Sequence, residues 1–332
     1  MKKYTSSLKK IDNNLKPKIS NIIKSILKAM GLKKIIYFIF SKIISLFLKS
    51  GNSFVRGIIF DINAERGKYS FIENNYGEKY VLLSKDKVIS KEIFINDQFE
   101  LEKLKKTLNF LSSSHKVSTL YDIGANLGIT CIPAIKRGLI KKAYAVEPEK
   151  ENFEILKTNI LLNNLQNKIE VFNCALSDEK KSASMEISPD NSGDHRVLQN
   201  VNFNIHGEED RETQIIKTEL FDDLFTDVKR EKDLIWIDTQ GHEPKVLKGA
   251  KSLIKNKIPI VIEFWPYALK RNGLWELMIK NIENFDFYID LSMETLEQKR
   301  INSKSINNLA EGWDKEKYNK HSLFTDLLLL KE

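Results

Sequence analysis

Cysteine is almost missing from this 332-residue chain: there are two, Cys131 and Cys174, with no CxxC or other metal-type spacing. That excludes a disulfide framework and a zinc ribbon, and a free pair fits a reducing cytoplasm. Seven prolines and fourteen glycines are too few for a collagen-like or low-complexity chain, and no internal repeat is present. No apolar run reaches the roughly 20 residues that a spanning helix needs. The longest, Ile35 to Leu48, is interrupted by Lys42. About 30 residues precede it and no small-residue cleavage site follows, so a secretory signal is a poor fit. Acidic residues are nearly absent from positions 1–50, which hold twelve lysines against Asp12 alone, a charge of +11. The remainder carries −3. The basic character therefore belongs to the N-terminal segment, and the body gives no reason to expect a nucleic-acid partner.

What is present is a chain able to build a core, with 42% hydrophobic and 10% aromatic residues. Residues 1–50 read as a basic amphipathic helical segment. Ile22, Ile23, Ile26, Leu27 and Met30 recur at helical spacing, and the polar members of Ile35–Leu48 fall on one stripe. Two readings stand for it: packing on the enzyme body, or peripheral contact of residues 20–50 with the anionic inner face of the cytoplasmic membrane. Residues 51–115 read as a β-rich lead-in plus a helix. Strands are expected at Phe54–Phe60, Tyr69–Ile72, Tyr80–Leu83 and Glu92–Ile95, and a helix over Glu100–Leu111.

From 116 to 332 the pattern alternates. Apolar runs at Thr119–Ile123, Lys142–Val146, Ile169–Phe172, Leu234–Ile237, Ile258–Glu263 and Thr325–Leu330 are interleaved with helical segments, notably Glu149–Asn163 and Glu243–Lys255. This predicts an α/β fold, a Rossmann-like parallel sheet covered on both faces. A polar stretch over about 178–232 reads as a hairpin and loop insertion.

The first strand ends in Tyr121-Asp122-Ile123-Gly124-Ala125-Asn126-Leu127-Gly128, a glycine turn with a helix beginning near Asn126. Ligands of doubly wound sheets bind at such a crossover. Asn126 stands where the NAD fingerprint needs glycine, no Walker-type GK[ST] follows, and Asp122 would repel a pyrophosphate. A sulfonium and an ammonium would instead be attracted, which points to S-adenosylmethionine. Glu147, 25 residues after Asp122, ends the next strand and can accept both ribose hydroxyls. At the third strand end, Ala175 leaves room for adenine and Asp178 is placed to meet its amino group, unless Ser177-Asp178 merely open a turn.

These blocks resemble the FkbM-family methyltransferases. The resemblance rests on YDIGANLG (121–128), VEPEK (146–150), NCALSD (173–178), NSGDHR (191–196) and IDTQGHEPKVLKGA (237–250), with ISKEIFINDQF (89–99) upstream. It covers roughly residues 85–330. It implies a class I methyltransferase that transfers a methyl group to oxygen, with acceptors among sugar hydroxyls of surface glycans or glycolipids and polyketide hydroxyls. Asp238-Thr239-Gln240-Gly241 departs from the commoner Asp-Val-Glu-Gly at one telling place, Gln240.

Methyl transfer to an alcohol needs alignment and a proton acceptor. Asp238 and Glu263 end neighbouring strands, and His242 and His195 complete the candidate set. Asp238 has three candidate roles: orienting the cofactor's methionine part, holding the acceptor hydroxyl, or ligating a divalent ion, whose use the sequence leaves open. Glu243 before Pro244 is expected to stabilise a helix N-terminus. Asp194 and Arg196 are expected at the acceptor unless Asn191-Ser192-Gly193 simply turns a hairpin, Trp265 and Tyr267 in packing rather than stacked on a sugar face, and Lys245, Lys248 and Lys251 on a solvated face. The rival readings are a catalytically silent module of the same fold, which intact Asp122, Gly124, Gly128 and Glu147 disfavour, and an oxidoreductase, which Asn126 and Asp122 disfavour.

Overall fold

The computed structural model describes residues 24–25, 38–39, 41–42, 53–199, 201, 208–302, 304–306, 308–309 and 324–332. The helical readings over Ile22–Met30 and Ile35–Leu48 therefore fall almost wholly outside the described residues. Residues 1–58 and 59–332 form two compact units.

The lead-in is mixed rather than β-rich. Phe54–Phe60, expected as a strand, belongs to helix α1 (Ser53–Arg66). The hairpin β1 (Tyr69–Glu73) and β2 (Lys79–Leu83) pairs antiparallel where strands were expected. Glu92–Ile95, also expected as a strand, is helical within α2 (Ile89–Asn96). The reason is a cap: Asp86 accepts the N–H groups of Val88, Ile89 and Ser90, satisfying donors that a helix start leaves open. Helix α3 (Leu101–Leu111) follows as expected.

An eight-stranded sheet carries the body. Its parallel strands are β3 (Thr119–Ile123), β4 (Lys142–Val146), β5 (Ile169–Phe172), β10 (Asp233–Ile237) and β11 (Ile260–Phe264). Across the sheet the order is β13-β12-β14-β11-β10-β3-β4-β5. Three strands depart from the all-parallel expectation: β14 (Thr325–Leu330), β12 (Phe287–Asp290) and β13 (Lys299–Arg300) pair antiparallel. The chain winds outward from β3 to β5 and then restarts at β10 on the other side of β3. The switch point of the fold lies between β3 and β10.

Side chains alternate between two apolar layers, as the two-residue period of a doubly covered strand requires. Leu120, Leu234, Trp236 and Val261 face a layer shared with α2, α3, α4 (Cys131–Lys136) and α5 (Lys150–Leu162). Tyr121, Ile235, Ile237 and Ile262 face a second layer shared with α6 (Phe221–Leu224), α7 (Glu243–Lys248), α8 (Lys251–Lys255), α9 (Pro266–Arg271) and α10 (Trp275–Ile282). The single helix expected over Glu243–Lys255 is interrupted at Gly249-Ala250, giving α7 and α8.

The 178–232 stretch supplies three strands of a second, four-stranded sheet, the fourth coming from just before it. The order β6-β9-β7-β8 joins β6 (Ala175–Leu176), β7 (Lys181–Ile187), β8 (Arg196–Val197) and β9 (Glu212–Glu219). The lead-in hairpin is fastened to α5 by side-chain amides. Asn159 and Asn163 each donate to and accept from the backbone of β2, at Val81 and Lys79.

Gly128 sits at φ +85°, and a Cβ there would lie 2.6 Å from Ile132 Cδ1 and 2.9 Å from Leu156 Cδ1. Its role is close packing of the first turn on α4 and α5. Gly128→Ala should cost about 2–4 kcal/mol, combining left-handed strain with overpacking. A lowered urea midpoint at unchanged slope would register it; an unchanged midpoint would refute it.

Candidate functional site

The carboxyl ends of β3, β4, β6, β10 and β11 enclose a cavity of about 510 Å³. That volume lies within the range of small-molecule sites. Its wall includes Gly124, Asn126, Glu147 and Ala175 together with Asp238, His242 and Glu263, and Asp194, His195 and Arg196 from the insertion.

Three residues expected at the cofactor stand elsewhere. Asp122 is buried outside the cavity wall, and its Oδ2 accepts the Cys131 N–H at 3.1 Å, capping α4. The turn from Gly124 runs to Thr130 before α4 starts, five residues later than expected, and that carries the helix N-terminus to Asp122. Gly128 serves packing, as above. Asp178 is paired with Lys245 at 3.3 Å and Lys248 at 2.7 Å, which hold its carboxyl down at about 2 against the opposing effect of burial. Asp178 thus lies off the cavity wall, and of the two lysines Lys248 keeps an exposed side chain while Lys245 is half-buried.

Glu147 is held in place by backbone donors. Its Oε2 accepts the Asn126 N–H at 2.9 Å and its Oε1 the Glu149 N–H at 2.8 Å. Burial nevertheless pushes its carboxyl up to about 8. Each oxygen keeps a lone pair for a further donor. Asn126, at φ 51°, donates from its side chain to the Ser192 carbonyl at 2.7 Å, and Ser192 Oγ donates to Asp86 at 2.6 Å. The first turn, the insertion and the lead-in are thereby locked together beside the cavity.

The wall at the ends of β10 and β11 is acidic. Gln240, also left-handed at φ 55°, donates its amide to Asp238 Oδ1 at 2.7 Å and to both Glu263 oxygens at 3.1 and 3.2 Å. Burial first, then neighbouring negative charge, pushes both carboxyls well above their usual range. Glu243 caps the 239–241 turn, accepting from Thr239 N, Thr239 Oγ1 and Gly241 N through Oε1.

Both histidines are hydrogen-bonded through their rings, His242 buried and His195 half-buried. Burial pushes His242 down to about 3, and its ring nitrogens are engaged by Ser177 Oγ at 3.0 Å and Gln199 at 3.3 Å. His195 Nδ1 accepts the Ser188 N–H at 3.0 Å, so the neutral ring carries its proton on Nε2 and offers a donor. Of the four candidate catalytic side chains, Asp238 and Glu263 are brought together by Gln240, and each histidine is hydrogen-bonded elsewhere through its ring. Arg196 is buried between Asp194 at 2.6 Å and Glu208 at 3.0 Å, with its guanidinium 4.7 Å from the Trp265 ring. Trp265 packs beneath it, and Tyr267 donates to Glu208 away from the cavity wall.

Several wall residues escaped the sequence reading. Arg211 braces Asp194 at 2.6 Å, and Phe99 and Glu100 come from the lead-in, where only the ISKEIFINDQF block hinted at them.

A doubly wound sheet with an acid-walled cavity at its switch point is the architecture of class I methyltransferases. The model of the methyltransferase FkbM domain matches residues 122–291, just over half the chain, and the chain belongs to that family. Among solved structures it is similar to methyltransferase FkbM from Methylobacillus flagellatus KT, with 17% identity, 84% of this chain and 60% of that one covered, and a TM-score of 0.38. TYW2 of P. horikoshii in complex with MeSAdo is 13% identical, with 80% and 72% covered and a TM-score of 0.37. TYW2 of M. jannaschii in complex with AdoMet is 15% identical, with 79% and 84% covered and a TM-score of 0.34. Likenesses this distant transfer no activity. No curated protein matches the chain.

Burial raises the Asp122 carboxyl from 3.8 to about 6. A raised acid favours its protonated form in the fold, so stability falls as pH rises from about 4 through about 6, by about 3 kcal/mol in all. Asp122→Asn keeps an acceptor for Cys131 N–H without the charge. It should flatten the stability profile between pH 4 and pH 7 and be the more stable protein at pH 7. Denaturant titrations giving parallel profiles would contradict this.

Proposed function

We propose that this chain is an S-adenosylmethionine-dependent O-methyltransferase acting on a sugar hydroxyl of a surface glycan or glycolipid. The observation that carries the cofactor half is Glu147, fixed by two backbone donors at the cavity wall with lone pairs to spare for a ribose diol. Ala175, with Cys174 and Leu176, offers an apolar wall for a base, and the wall's acidity suits a cationic ligand better than a pyrophosphate. When bound, S-adenosylmethionine supplies the electrophilic methyl group. The chain's part is to orient the acceptor hydroxyl and take its proton. Asp238 and Glu263, held by Gln240, are the acceptors in reach, and burial raises the basicity of both. Asp194, Arg196 and the Nε2–H of His195 offer the mixed donors and acceptors that a polyhydroxylated substrate requires. A polyketide-like hydroxyl is the second acceptor reading, favoured by the apolar part of the wall at Val88, Ile89 and Phe99.

Calorimetric titration with S-adenosylhomocysteine should show micromolar-scale binding, roughly −8 kcal/mol. Glu147→Ala should weaken it by roughly 1.5–3 kcal/mol. Affinity should rise with pH through about 8 as Glu147 ionises, and Glu147→Gln should lose that rise. Tight NAD binding with no response to the homocysteine ligand would sink the reading.

The acceptor reading includes a place. Among the described residues no helix is long and apolar enough to cross a membrane. The +11 charge of residues 1–50 and the exposed Phe54, Ile58 and Ile62, spaced by four along α1, support peripheral attachment at the cytoplasmic membrane, near lipid-linked glycans. Glycan mass profiles should lose one methyl per acceptor without the protein. Changing the twelve lysines to glutamine should lower that methylation while homocysteine-ligand binding persists. Unaltered glycans in both cases would refute acceptor and place together.

A further inference from the structure

The acidic wall holds more negative charge than its partners balance. Lys103 pairs with Glu100 at 2.7 Å and Asp326 at 2.5 Å. Asp238, Glu243 and Glu263 have no ion-pair partner among the described residues, and the Gln240 amide that bridges two of them is neutral. One oxygen from each of the three lies within 4.8 Å of the others. A hard divalent cation sits about 2.0–2.6 Å from each ligand oxygen, so ligands across it are about 4–5 Å apart. The three carboxylates are already at that spacing.

Glu243 supplies the second, independent observation. Its Oε1 takes three donors, whereas Oε2 is buried with no hydrogen-bond partner, in a side chain fully withdrawn from solvent. A bare carboxylate oxygen in that position is costly. A cation removes it. Gln240 fits the same account, because turning its amide over would present Oε1 in place of Nε2 at the point between Asp238 and Glu263. Asp238 is half-exposed at the cavity wall and gives an entry path.

We propose that Asp238, Glu243 and Glu263 form a site for a hard divalent cation of the Mg²⁺, Mn²⁺ or Ca²⁺ class, with the Gln240 side-chain oxygen as a fourth ligand. An all-oxygen, carboxylate-rich set selects such ions over zinc or copper. The cation stands at the acceptor end of the cavity, where its open coordination positions would take an acceptor oxygen. The site stands on these residues alone, and its link to an acceptor rests on the methyl-transfer reading.

Mn²⁺ is the probe. The full chain is stripped with chelator, dialysed and titrated with MnCl₂ while free Mn²⁺ is followed by electron paramagnetic resonance. The expected result is one saturable Mn²⁺ per chain, displaced by Mg²⁺ or Ca²⁺, with a raised thermal midpoint. Glu243→Gln retains the Oε1 acceptor for Thr239 and Gly241 and replaces only the bare oxygen. It should weaken Mn²⁺ binding by at least about tenfold. Asp238→Asn, at the cavity edge, should do the same and serves if Glu243→Gln does not fold. Gln240→Glu should tighten binding, and an unchanged affinity would remove Gln240 from the ligand set. No saturable uptake by the wild-type chain, or equal affinity in folded Glu243→Gln, overturns the proposal. Titrating S-adenosylhomocysteine into the same samples separates the two readings: Mn²⁺ binding without it sinks the methyltransferase, and the reverse sinks the cation site.

Discussion

The site depends on how closely two strands approach at the switch point. Gly124 leaves β3 at φ +91°, and a Cβ there would lie 1.8 Å from the Asp238 carbonyl oxygen at the end of β10. No side chain fits between them. The Asp238 N–H meanwhile donates to Ile123 at 3.0 Å. Backbone-to-backbone contact thus brings the two halves of the sheet together, and the strand ends diverge just beyond it. Everything that lines the cavity takes its position from that junction: Glu147 through Asn126, which follows Gly124 by two residues, and Glu263 through Gln240, which follows Asp238 by two.

The second constraint is electrostatic. Glu147, Asp238 and Glu263 are all driven upward, in each case mainly by burial. A sequence selected for stability alone would replace such groups, because buried anions without cations cost more than they return. Their concentration around one cavity is the mark of a site shaped for a ligand. The sign of the imbalance restricts that ligand. It favours positive charge and disfavours phosphate, independent of any fingerprint motif.

Much of this was legible in the sequence because it is local. The β3 and β4 ends, the alternation of apolar layers and the turn at Gly124 are set by neighbouring residues and read correctly. The failures are long-range. Residues 54–60 and 92–95 are rich in β-branched and aromatic side chains, yet they form helices. In α2 the deciding group is Asp86, which also reaches Ser192, 106 positions away. Asp122 and Glu147 look equivalent on paper, each an acid at a strand end. One turns inward to cap α4 and the other faces the cavity, and only the delayed start of α4 distinguishes them. His242 is a plausible base by its ordinary pKa; burial pushes that pKa down and two partners engage its ring, and neither can be read from position. Gln240 was visible only as a departure from a commoner pattern, with no hint of the bridge it makes.

The cavity is also assembled from pieces of different standing. The stretch matched by the family model begins at residue 122 and contains the strand ends at Gly124, Glu147, Asp238 and Glu263. Val88, Ile89, Phe99 and Glu100 lie before it, yet they wall the same cavity. Their hold on the site is the Asp86–Ser192–Asn126 chain together with Lys103, which ties α3 to β14 through Asp326. A group entering the cavity at the Asp238 end therefore meets surface from the lead-in as well as from the sheet. Chemistry at the strand ends and shape at the entrance are carried by separate segments. Changes in α2 and α3 can alter what reaches Asp238 and Glu263 without touching the junction at Gly124 that holds those carboxylates in place.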